Sequence, residues 1–184
     1  MSAPKRTKKP NKKILPLFTF VLSIVVVFAG FIFRYHADPI FTGYEPTSQV
    51  SPNINQPTSI AFPDKNYQLS ILPTSIRDGK WGLHKETANF LLSSSAPGQL
   101  GNIIIYGHNT QKVFAILNNL IVGDSIILKT ESNQEYSYSV SEILTVIPDQ
   151  TEVLAPTDHE VLTLYTCTGL LDQKRLIVKA LPAN

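Results

Sequence analysis

The sequence predicts an all-β domain, a sandwich or a barrel, set behind an apolar N-terminal segment. Three observations carry that expectation. Short strand-like runs recur between turn signals from about Ile60 onward, only one stretch of that region reads well as helix, and residues 14–33 are apolar and uncharged. At 184 residues the chain has room for one domain of ordinary size plus an appendage.

The chain opens with a basic tail, residues 1–13, that holds Lys5, Arg6, Lys8, Lys9, Lys12 and Lys13. From Ile14 to Phe33 only Pro16, Thr19, Ser23 and Gly30 interrupt the apolar character, and that length of helix spans a hydrocarbon core of ~30 Å. Six basic residues before the run against Arg34 after it place the N-terminus in the cytoplasm by the positive-inside bias. The expectation is a single-pass type II anchor in the cell membrane, with lipid as the partner of Ile14–Phe33 and the folded domain extracytoplasmic. A cleavable signal peptide is the competing reading, because Val27-Phe28-Ala29 ends in small residues; the apolar run is longer than an h-region of roughly 7–15 residues. Residues 34–59 are rich in Pro, Ser, Thr, Asn and Gln and read as a linker.

The folded domain is expected over 60–184. Ile60-Ala61-Phe62 and Tyr67 to Leu72 are strand-like, the latter alternating at period two. Thr87 to Leu92 fits a short helical turn or a strand, and Ser93 to Gly98 is a loop. Asn102-Ile103-Ile104-Ile105-Tyr106 is a strand that ends at Gly107-His108-Asn109-Thr110. The best helix candidate is Val113 to Leu120, with Phe114, Leu117, Leu120 and Ile121 on one face. Strands follow at 125–130, 135–144, 161–167 and 174–181, punctuated by Gly123-Asp124, Ser132-Asn133 and Asp149-Gln150.

The formal net charge of +2 comes from the tail; the remainder is mildly acidic, so the folded part carries no nucleic-acid footprint. The single cysteine, Cys167, sits at the end of a strand and can form no internal disulfide, and its retention in an exported chain hints at a chemical task. The short connection Leu170 to Gln173 makes 174–181 an antiparallel neighbour of that strand, which sets Arg175 beside Cys167. His108 lies at another strand end.

Thr163-Leu164-Tyr165-Thr166-Cys167, Tyr106-Gly107-His108-Asn109 and Arg175-Leu176-Ile177-Val178 together resemble the T-L-x-T-C, G-H-N and R-[LI]-[IV]-V motifs of the sortase family of cysteine transpeptidases. Between them Val113-Phe114, Leu117, Leu120 and Gly123-Asp124 look like that family's F-x-x-L-x-x-L-x-x-G-D stretch. The resemblance implies a closed barrel of about eight strands with one or two short helices, and a thioacyl-enzyme intermediate. It also implies a surface-protein substrate bearing an LPxTG-like sorting signal, and an amine acceptor such as a cell-wall precursor or a pilin lysine. Leu72-Pro73-Thr74-Ser75 shares letters with such a signal but lacks its glycine, and is read as a turn.

A thiol attacks an amide as thiolate, and at a pKa of about 8.5 only a few per cent is ionised at neutral pH, so Cys167 needs a cationic neighbour. His108 can exchange a proton, protonating the departing amine and deprotonating the incoming one. Arg175 stays charged and can hold the substrate carbonyl as negative charge develops. Thr166 is a candidate contributor to the substrate pocket. His36, His84 and His159 read as interfacial or loop residues, no His or Cys pair has metal-ligand spacing, and no cofactor is expected. Two other readings fit the residues less well. An L,D-transpeptidase-like cross-linker would have Gly before the cysteine and Arg close after it, where this chain has Thr166 and an Arg175 eight residues on. A non-catalytic membrane-tethered β-domain would tolerate loss of Cys167, His108 or Arg175, and all three are present.

Overall fold

The structure is a computed structural model that describes residues 24–27 and 55–183. Residues 24–27 are helical, and among the described residues no helix is long and apolar enough to cross a membrane. The rest of the expected span at 14–33, the basic tail, most of the linker and His36 lie outside the described residues.

Ten strands follow: β1 (Pro57–Phe62), β2 (Tyr67–Thr74), β3 (Ile76–Arg77), β4 (Lys80–Trp81), β5 (Ala88–Leu91), β6 (Gly101–Gly107), β7 (Ser125–Thr130), β8 (Glu135–Val146), β9 (Glu160–Thr168) and β10 (Lys174–Pro182). Eight of them close a barrel in the order β1-β2-β5-β6-β9-β10-β8-β7, and β7 pairs back to β1. Closure leaves the barrel without a sheet edge. The pairs β2/β5 and β6/β9 are parallel and the others antiparallel. β3 and β4 form a separate hairpin around Asp78 and Gly79, both at positive φ, which suits the tight turn of a two-residue connection.

Strand alternation divides the apolar residues between two cores. Ile103 and Ile105 of β6, Leu162 and Leu164 of β9, and Leu176 and Val178 of β10 fill the barrel interior. Their neighbours Ile104, Tyr106, Tyr165 and Ile177 face outward and are covered by Trp81 and Leu154 into a second cluster. Burial on both faces explains why β6 and β9 read as continuous apolar runs rather than alternating ones.

Several sequence expectations are corrected. β1 starts at Pro57, inside the stretch read as linker, and Leu72 to Thr74 continues β2 instead of turning. Residues 113–120 hold a 3₁₀ helix, Ala115–Asn119, in which the three-residue spacing of Phe114, Leu117 and Leu120 buries all three while Ile121 stays exposed. Thr87 to Leu92 resolves to the strand β5. Further 3₁₀ segments occur at Pro63–Lys65 and Thr151–Leu154, and Leu170–Asp172 is a tight turn with Leu171 and Asp172 at positive φ. The first of these clamps the start of β7: Ser125 N–H donates to Asp64 Oδ2 at 2.7 Å, and Lys65 Nζ lies 2.9 Å from Asp124 Oδ2.

Candidate active site

Register brings the three candidate residues level with one another. In the antiparallel pair β9/β10 Cys167 stands opposite Arg175, as the short connection implied. In the parallel pair β6/β9 Gly107 stands opposite Thr166, so the next residue on each strand brings His108 level with Cys167. Tyr106, Tyr165 and Ile177 face the outer cluster, and a shift of two residues along each strand preserves the face. Cys167 and Arg175 therefore share the outer side at one end of the barrel, and His108 lies in the turn that follows the β6 end paired with Thr166.

The row beneath is aromatic. The rings of Tyr106 and Tyr165 are stacked with centroids 5.3 Å apart, and Trp81 meets them edge-on at 4.9 and 5.7 Å. Three rings in these arrangements gain more than their buried area alone would give. Tyr106 Oη lies 2.7 Å from Thr74 Oγ1 and donates to the Gly82 carbonyl. Burial pushes its phenol up to about 12, against the opposing effect of the Thr74 hydrogen bond, so it stays protonated at neutral pH. The β3–β4 hairpin, absent from the sequence expectations, thus supplies the indole that covers this floor.

His108 sits on a turn held by its own carbonyl, which accepts from Thr110 N–H at 2.9 Å and from Phe114 N–H at 3.0 Å. The turn folds back closely: a Cβ on Gly107 would meet Val113 Cγ1 at 2.6 Å, so only glycine fits there without displacement. Buried Val113 and Phe114 tie this turn to the barrel interior, which connects the position of His108 to the core.

Cys167 is half-buried and Arg175 is only 5% exposed. A guanidinium that deep needs its donors satisfied, and Nη1 donates to the Asp172 carbonyl at 2.8 Å and to the Lys174 carbonyl at 3.0 Å. Thr166, read as a substrate contact, is fully buried, and its hydroxyl donates to the Gly107 carbonyl at 2.7 Å. That bond joins the strand end carrying Cys167 to the one carrying His108. His84 and His159 are exposed loop residues, with His159 Nδ1 2.6 Å from Asp158 Oδ1. Among the described residues no group of three His, Cys, Asp or Glu is placed to hold a metal ion.

The arrangement brings Cys167 opposite Arg175 and fastens the strand ends that carry Cys167 and His108 to each other. A family model for the sortase domain matches residues 60–183. The chain is 35% identical over 130 residues to sortase A of Bacillus anthracis, a match covering 66% of this chain and 56% of that protein, so it spans little more than half of that relative's length. Sortase C1 of Streptococcus agalactiae superposes with a TM-score of 0.60 at 26% identity, over 74% of this chain and 72% of that one. Sortase C of Clostridium perfringens, solved with the C-terminal cell wall sorting motif, superposes with a TM-score of 0.61 at 24% identity, over 76% of this chain and 78% of that one.

Proposed function

Because the chain belongs to the sortase family, we propose that it is a cysteine transpeptidase that cleaves an LPxTG-like sorting signal and passes the acyl group to an amine. The observation that supports this reading is the register of Cys167 with Arg175, together with the pairing of Thr166 and Gly107, the residues just before Cys167 and His108. The Cys167 thiolate attacks the scissile carbonyl, and Arg175 holds the oxygen as it becomes negative. The carbon–nitrogen bond then breaks, His108 gives its proton to the leaving amine, and a thioester to Cys167 remains. The acceptor amine, deprotonated by His108, attacks that thioester; the carbon–sulfur bond breaks and the thiolate returns. In this reading Thr166 acts by fastening the two strand ends, and any contact it makes with substrate goes through its backbone, since its hydroxyl donates to Gly107.

The acceptor class is a cell-wall precursor or a pilin lysine, and the sorting-signal substrate is of the kind named for the Clostridium perfringens relative. Residues 14–33 serve as the type II membrane anchor, supported by their length and the flanking charge difference. The domain at 60–184 then works outside the cell on a tether. The test is mass spectrometry of the full chain in detergent micelles, mixed with LPxTG-like peptides and with glycine-, stem-peptide- and lysine-bearing amines. Ligated product with at least one amine is expected. Hydrolysis without ligation to any of them would contradict the transfer, and absence of cleavage would contradict the substrate class.

A further inference from the structure

The connection between β9 and β10 has an unusual backbone. Gly169, Leu171 and Asp172 have φ of 82°, 55° and 56°; glycine and aspartate enter the left-handed region more readily than most, but leucine seldom does. Burial does not account for it: Leu170 is 82% exposed and Leu171 61% exposed, so neither side chain is packed away by the bend. What the bend does achieve is an acceptor. It turns the Asp172 carbonyl onto Nη1 of Arg175 at 2.8 Å, beside the Lys174 carbonyl at 3.0 Å.

We propose that the left-handed Leu171–Asp172 pair is a positioning device for Arg175, setting the plane of its guanidinium toward the substrate carbonyl. This rests on the reading of Arg175 as the oxyanion donor. A guanidinium is planar and rigid, so two carbonyls gripping Nη1 fix the direction of the remaining N–H groups. Asp172 acts through its backbone oxygen, three residues before the arginine it orients. Strain at a functional loop of this kind persists because the surrounding structure imposes it, here the pairing of Thr168 with Lys174 that closes the loop.

The test exploits backbone preference. In Leu171→Gly the left-handed conformation stays accessible, so any loss of kcat should be clearly smaller than in Leu171→Ile. In Leu171→Ile the side chain keeps its size and apolarity but its β-branch opposes positive φ. A drop in kcat of about tenfold is expected, since small misplacements of a catalytic group are costly, with KM for an LPxTG-like peptide changed less than about twofold. The same substitution in an Arg175→Ala background should add no further loss, because the device then has nothing to orient. Asp172→Val, which strains the carbonyl-bearing residue itself, should repeat the pattern, and an unchanged thermal midpoint excludes general unfolding. Equal losses from Leu171→Ile in both backgrounds would overturn the proposal, as would a Leu171→Gly loss as large as that of Leu171→Ile, which would assign the role to the leucine side chain. Full activity of Arg175→Ala alone would instead overturn the reading of Arg175 on which the proposal stands.

Discussion

The two faces of β6, β9 and β10 carry different chemistry. Inward, Ile103, Ile105, Leu162, Leu164, Leu176 and Val178 are aliphatic and tolerate no water. Outward, the same strands carry Tyr106, Tyr165 and Ile177 under Trp81; two residues along, β9 carries Cys167 and β10 carries Arg175, and the turn after β6 carries His108. The inner face of these strands is filled by volume and shape, whereas on the outer side Tyr106 is held by Thr74 and Gly82 and Arg175 by two carbonyls. The proposed function places the chemistry on the outer side of these strands and leaves packing to the inner side. Damage to one side should leave the other largely intact.

The largest effect is expected on the outer side. Cys167→Ala should abolish turnover while leaving the thermal midpoint of the full chain unchanged, since no other thiol exists to replace it. His108→Ala should cost ~10²–10⁴ in kcat. Arg175→Ala should cost ~10²–10³, and Arg175→Lys should recover little because an ammonium lacks the fork. Peptide cleavage rates measure all of these, and alkylation of Cys167 by an uncharged reagent should survive loss of His108.

The inner face should behave oppositely. Leu164 is fully buried in the barrel interior, and Leu164→Ala is expected to cost ~2–5 kcal/mol in denaturant unfolding, with kcat per folded molecule little changed. A loss of kcat in the folded fraction comparable to that of Arg175→Ala would erase the division between faces.

Gly107 sharpens the comparison because it touches both sides. Gly107→Ala drives a Cβ toward Val113 Cγ1 and should cost ~1–3 kcal/mol from overpacking. It should also lower kcat, by as much as ~10²-fold if the His108 turn shifts by an ångström. The smallest effect lies away from the site. The Lys65 ammonium beside Asp124, with the Ile121 N–H, holds that carboxyl below its ordinary value of 3.8. Because the folded-state carboxyl titrates below the unfolded one, the pair's stabilisation is complete above that ordinary value and is lost as pH falls through the folded one. Asp124→Asn should lower stability at neutral pH by about 1 kcal/mol and flatten the acid limb of the unfolding profile.

Much of this was legible in the sequence where the signal is local. Ser125 to Thr130 was read with the bounds the strand has, and the pairing of Cys167 with Arg175 followed from a short connection between two strand-like runs. The parallel pairing of β6 with β9, which sets His108 level with Cys167, joins segments some sixty residues apart and leaves no local trace. The resemblance of the motifs supplied that neighbour instead. The β3–β4 hairpin was missed although Asp78-Gly79 is a turn signal, because two-residue strands are too short to show alternation. The 113–120 stretch reads as helix because residues spaced by three suit either helix type, and its 3₁₀ character shows in the exposure of Ile121. The Thr166 hydroxyl read as a pocket group because its acceptor, the Gly107 carbonyl, becomes a neighbour only through that same parallel pairing.

The central claim is that the outer side performs acyl transfer through Cys167. Intact-protein mass spectrometry of the full chain, quenched in acid during turnover of an LPxTG-like peptide, tests it most directly. The expected result is an added mass equal to the acyl half of the peptide, released by hydroxylamine as a thioester should be, mapped to the segment containing Cys167, enriched in His108→Ala whenever its amine-dependent second step is the slower one, and absent from Cys167→Ala. Turnover by Cys167→Ala, or an adduct that maps to any other residue, would contradict it.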